Sequence, residues 1–270
     1  MGGSGKQQAS NTIGAAMFED INRWRERRLH WLVAGVLIPV LAVTVVGITG
    51  FSAAFAAVVT LGGFIEHLTI NASWFFVSLF ALIGLFVAYP AHETQQGFRT
   101  LCQSRTVLLG TLFSRWVLVG GSALLAFVVP LVVGVVGFDS FPLVPAIVFA
   151  TVTALSLMAY TSLGVTLAAV VRSDNRLLLS LLATYWVLAH LWETSLIPLV
   201  AGIAVTGNPE VAIGTPPVIH DVLLAMSPSG AHATISQLLV TGQWGTVESV
   251  AILTLLGWLV LPLGVALRRI

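Results

Sequence analysis

The sequence predicts an all-α integral membrane protein: six transmembrane helices, one amphipathic helix before the first and a second between the second and third. Three observations carry this. Of the residues 57% are hydrophobic and only 9% charged, with a mean hydropathy of +0.97, whereas a soluble domain carries roughly 25% charged residues. Six apolar runs approach or exceed the roughly 20 residues needed to cross a bilayer core. With six spans, all twelve Lys and Arg residues fall on one side.

Residues 1–16 are small and polar and are expected to be a disordered tail. Within them Gly3–Lys6 reads GSGK. A phosphate loop needs Ser or Thr after the Lys and a strand before it, but Gln7 follows and no strand pattern precedes. Residues 17–31 place Phe18, Ile21, Trp24 and Leu29 near one helical face and Arg23, Arg25, Arg27 and Arg28 mostly around the other. A basic, Trp-bearing amphipathic helix suits the membrane surface, and its charges also fix orientation. The apolar run that follows is too long for a signal peptide and lacks a small-residue cleavage pattern.

The spans are expected near 32–50, 74–91, 112–136, 145–171, 177–202 and 248–267. Pro39, Pro130, Pro198 and Pro262 are expected to kink their helices. The stretch 51–68 is apolar enough to be a seventh span, but that would place five basic residues opposite the other seven. The positive-inside rule selects six spans with both termini cytoplasmic. The outer side then holds Glu66, Asp139, Glu210, Asp221 and Glu248 with no Lys or Arg. Residues 51–73 read as an outer-surface or re-entrant segment, in which Asn71-Ala72-Ser73 matches a glycosylation sequon. The short RSDNR loop at 172–176 makes the fourth and fifth spans an antiparallel hairpin. The last outer loop, 203–247, is rich in turn signals, with a short helix expected over 229–239.

Between the second and third spans, His92–Arg115 is polar and basic. Phe98, Leu101 and Cys102 share one helical face at i, i+3, i+4, with Gln95, Gln96, Arg99 and Gln103 around the rest. Such a helix suits docking against a cytoplasmic partner; the plainer role is anchoring at the membrane surface.

Little else suggests chemistry. His190 and Glu193 are the ionisable pair inside a span and share a face at i, i+3, so they are candidates for a substrate path. Glu193 lies 17 residues beyond Arg176, roughly 25 Å along a helix, which also suits an interfacial pair beside Trp192. His92-Glu93 begins like a zinc-peptidase motif, but Gln96 stands where the second His must be. His220, Asp221, His232 and Glu210 are scattered through the outer loop, where solvated surface is the simpler reading than metal binding. The four Met residues form no cluster for a copper path. Cys102, the single cysteine, excludes an intramolecular disulfide. No metal, catalytic residue or cofactor is expected in the chain. The basic residues hug the membrane boundaries, which argues against nucleic-acid binding.

The order Glu93, Gly97, Arg99-Thr100-Leu101, Ser104-Arg105, then Gly110, Ser114 and Arg115 resembles the cytoplasmic loop of ABC-2 type permeases. It is similar to the nitrous-oxide-reductase maturation permease group, in which an acid, Gly-Thr-basic and a Leu-rich turn end in Pro-Val-Ser-Arg. This chain has no Pro before Ser104, and its turn is shortened to Leu101-Cys102-Gln103. Ser227–His232 also resembles an Asn-Pro-x-x-Ala-Tyr turn before the last span. The resemblance implies that residues 17–31 are an elbow helix and that two subunits pair as a homodimer in the plasma membrane, in contact with lipid. It also implies that ATP and Mg bind separate cytoplasmic ATPase subunits. Glu93, Gln96, Phe98, Arg99, Leu101, Ser104 and Arg105 would then form the ATPase contact. Export is the commoner direction, and spans this apolar suit lipids or hydrophobic compounds. A scaffold subunit that transports nothing, or a proton-coupled carrier using His190 and Glu193, are the alternatives.

Overall fold

The computed structural model describes residues 12–27, 78–87, 104–137, 143–171, 173–196 and 217–268. Among these, every regular element is helical. They are α1 (Ile13–Arg27), α2 (Ser78–Phe86), α3 (Arg105–Gly137), α4 (Leu143–Val170) and α5 (Asp174–Trp186), which runs on as a π-helical segment (Val187–Leu196). Then come α6 (Pro217–Ala225), α7 (Pro228–Thr241) and α8 (Thr246–Leu267). Three helices, α3, α4 and α8, are long and apolar enough to cross a membrane. The expected first span and the 51–73 segment lie outside the described residues.

One buried cluster gathers the start of α3 (Leu108, Leu112), the end of α4 (Ala168), the start of α5 (Leu177, Leu181) and the end of α8 (Leu263, Ala266). The helix ends carrying the exposed Arg105, Arg176 and Arg268 therefore meet at one end of the bundle. We call it the basic end. On α3 the large exposed side chains are apolar from Phe113 through Val136, about 35 Å of helix at 1.5 Å per residue, matching a hydrocarbon core.

Two crossings depend on glycine. A Cβ on Gly84 would stand 2.6 Å from the Tyr160 Cβ, and one on Gly164 would meet the Leu85 backbone, so α2 and α4 pack backbone to backbone. Gly110 does the same for α3 against α1, where its Cβ would lie 2.5 Å from that of Ala16. Small residues permit such approach between helices in lipid.

Four expectations change. The helix that holds the third expected span begins at Arg105, ahead of 112, so Arg105–Thr111 is the first part of α3 rather than part of a connecting segment. Nothing between these residues breaks a helix except Gly110, and that glycine is the α1 crossing. Helix α1 starts at Ile13, four residues before the amphipathic pattern and inside the expected tail. Phe18 is 66% exposed while Trp24 is 7% exposed, because six residues at 100° each place them well apart around the helix. Finally, 217–241 is two helices, not a loop with one short helix.

Those two helices form a hairpin that enters the bundle from the end opposite the basic end. Four residues join α7 to α8. At its tip, Pro228 O accepts from Ser156 Oγ at 3.2 Å and Ser229 Oγ accepts from Tyr160 OH at 3.1 Å. Tyr160 lies 17 residues along α4 from Leu143, about 25 Å, so the tip reaches the middle of the bundle. Helix α7, at 14 residues, is too short to span.

Candidate coupling site

Helix α1 presents Ala16, Asp20 and Trp24 along one line, at i, i+4 and i+8. Ala16 meets Gly110, and Asp20 meets Ser114 and Arg115. Contacts advance four residues on both helices together, so α1 runs alongside the start of α3 in the same direction.

The centre of this contact is a buried ion pair. Asp20 is 5% exposed and Arg115 3%. Arg115 Nη2 donates to Asp20 Oδ1 at 3.1 Å, and its Nε lies 3.1 Å from Oδ2 as an ionic contact. Oδ2 also accepts from Trp24 Nε1 at 2.8 Å and is held by the Ser114 hydroxyl, which also lies 2.8 Å from Thr111 O. The Trp24 ring lies under the guanidinium, 5.5 Å from its carbon to the ring centroid, a cation–π arrangement. Arg115 Nη1 donates to Val87 O at 3.2 Å. That carbonyl lies at the end of α2.

Arg115 therefore touches three elements. It holds the end of α2 just before residues 88–103, belongs to α3 just after them, and grips α1 through Asp20. It also sits two residues inside the apolar band that begins at Phe113. A charge at that depth must face the bundle and be paired, and it is.

Ser104 caps α3, its Oγ accepting from Thr106 N at 3.2 Å, as N-cap serines do. Arg105 beside it is exposed. Glu93, Gln96, Phe98, Arg99 and Leu101 lie outside the described residues.

His190 is half-buried. Its Nε2 is 3.2 Å from Tyr185 OH, and its ring packs against Tyr185 and Trp186 at 5.2 and 4.9 Å. Glu193 follows it in the π-helical segment. The wider turn, closing i to i+5, swings i, i+3 positions further apart than an α-helix does. The Glu193 side chain lies outside the described residues.

A second polar seam fixes the hairpin. His232, expected on a solvated loop, is 6% exposed. Its Nε2 lies 2.8 Å from Thr153 Oγ1. The Thr153 hydroxyl gives its one proton to Phe149 O at 2.9 Å, so His232 is the donor to Thr153. At the tip, two tryptophans donate to backbone carbonyls. Trp192 Nε1 donates to Leu223 O at 3.1 Å and Trp258 Nε1 to Met226 O at 3.0 Å. Among the described residues no His, Cys, Asp and Glu side chains gather to hold a metal ion.

Sequence reasoning missed Asp20 and the hairpin seam, and read Trp24 as a membrane-surface residue. A signal for the first existed: Asp20 is the one acid on the line that Ala16 and Trp24 define. Arg115 was noticed, at the overlap of the polar segment and the span expected over 112–136, but not as one half of a buried pair. The seam had none, because Ser, Thr and His scattered over a turn-rich stretch read equally well as surface.

A search of curated proteins finds no match to this chain. Residues 104–269 match the family model described as ABC-2 family transporter protein. The match begins at the cap of α3, runs through the end of α8, and covers more than half of the 270 residues. Helices α3 to α8, with Arg115 at their root, thus place the chain as a member of the ABC-2 transporter family, a multi-pass membrane permease component of an ABC transporter.

Proposed function

We propose that the chain is the permease subunit of an ABC exporter in the plasma membrane. It works as a homodimer, with its basic end and both termini in the cytoplasm. ATP and Mg bind a separate ATPase subunit, and this chain performs no hydrolysis itself. Residues 92–105 form the ATPase contact. The exposed Phe18 of α1 meets lipid.

One observation carries this reading. The start of α3 lies at the end of the bundle where Arg105, Arg176 and Arg268 gather, and residues 88–103 immediately precede it in sequence. A positive end faces the cytoplasm, which is where the ATPase is. A push on that segment reaches α2 and α3 directly.

The test is recovery of the ATPase with detergent-solubilised subunit carrying Phe98→Ala and Leu101→Ala. A buried Phe or Leu contributes ~1.5–3 kcal/mol, so losing two should weaken binding by about 10²-fold or more. The mutant subunit should keep its own size-exclusion profile, since the spans are untouched. Undiminished ATPase recovery would show a membrane anchor, and loss of the subunit itself a structural role.

A further inference from the structure

The Asp20–Arg115 pair does more than hold the fold. Resting on the permease reading above, we propose that Asp20 and Arg115 are positioning residues that make α1, α2 and α3 move as one body when the 88–103 segment is pushed.

The geometry is specific to that task. A single guanidinium reaches both flanks of the segment: Val87 O at the end of α2 by hydrogen bond, and α3 by its own backbone. The carboxylate that holds it belongs to a third helix, and that helix is separately seated by Gly110 against Ala16. Each Asp20 oxygen is engaged, and Trp24 closes over the guanidinium. Side chains so enclosed have one arrangement, so displacement of one helix is passed to the other two rather than absorbed by rotamer change.

Stability alone does not account for a charge here. Buried ion pairs are often no more stabilising than apolar side chains of similar volume, and their best-attested role is fixing one register. A leucine pair could fill this space, but it could not hold Val87 O. The carbonyl tether ties the segment's first flank to its second, and only a donor can make it.

The experiment uses the full chain assembled with its ATPase in lipid vesicles. Spin labels at Val136→Cys on α3 and Trp244→Cys between α7 and α8, in a Cys102→Ser background, report their separation without nucleotide and with ATP and vanadate. The labelled parent should show two distance populations that exchange with nucleotide. Asp20→Asn keeps the shape and removes the charge. It should still bind the ATPase and hydrolyse ATP, yet the ratio of shifted to unshifted population should fall about tenfold or more. The double variant Asp20→Leu with Arg115→Leu, which leaves no unpaired charge, should lose the shift as well.

If either variant is assembled and keeps the parent's shift, the proposal is overturned. If neither can be recovered as a monodisperse subunit, the pair is structural and the proposal is likewise overturned. A parent that binds no ATPase or shows no nucleotide response would instead sink the permease reading, which separates the two failures.

Discussion

Arg115→Leu alone should destabilise the subunit by about 3–5 kcal/mol, the range measured when one partner of a buried ion pair is removed. The substitution strands Asp20, a carboxylate 5% exposed whose remaining partners are the Trp24 indole and the Ser114 hydroxyl. It also removes the buried hydrogen bond to Val87 O, and a hydrogen bond to a charged group is worth a further ~1.5–3 kcal/mol. Adding Asp20→Leu should recover most of the loss, because the two leucines fill the space without an unpaired charge. The measure is the thermal midpoint of the detergent-solubilised subunit followed by size exclusion. A single variant as stable as the parent would mean that the pair is open to water. A double variant no better than the single would mean that the charges themselves hold α1 in place.

Gly230→Val should displace the hairpin. A Cβ at Gly230 would run into the backbone carbonyl of Leu224, and backbone cannot turn aside as a side chain can. Overpacking of this kind costs ~1–3 kcal/mol and occasionally more. Here the cost is compounded, because moving α7 away from α6 also opens the contacts that satisfy tip carbonyls at Leu223, Met226 and Pro228. Ala231→Cys, at a fully buried site, reports the change in a Cys102→Ser background. It should resist maleimide in the parent and react about tenfold faster or more with Gly230→Val, the opening equilibrium having shifted by over 1.4 kcal/mol. Equal rates would show that the turn accommodates the extra carbons.

The long apolar helices were legible because hydrophobicity alone locates them. The spans expected at 145–171 and 248–267 are α4, Leu143–Val170, and α8, Thr246–Leu267. That α3 extends back to Arg105, ahead of the expected span, was not legible because Arg105, Arg115 and the polar residues between them lower the local hydropathy. Arg115 belongs to a span all the same, since Asp20 is supplied from 95 residues away. No local pattern announces such a partner. The hairpin was hidden for a similar reason. Gly230, Ser227 and Pro228 signal a turn wherever they occur, and whether that turn sits in water or against Tyr160 is decided by packing.

The central claim is that the segment strung between Val87 and Ser104 is where an ATPase engages this subunit. A photo-crosslinking residue at Phe98, with a second at Val136 as the control, tests it in the assembled complex. Illumination should join the ATPase to the subunit labelled at Phe98 and not to that labelled at Val136, whose side chain is 82% exposed at the far end of α3. A complex that contains the ATPase yet crosslinks from Val136 alone, or from neither position, would contradict the account.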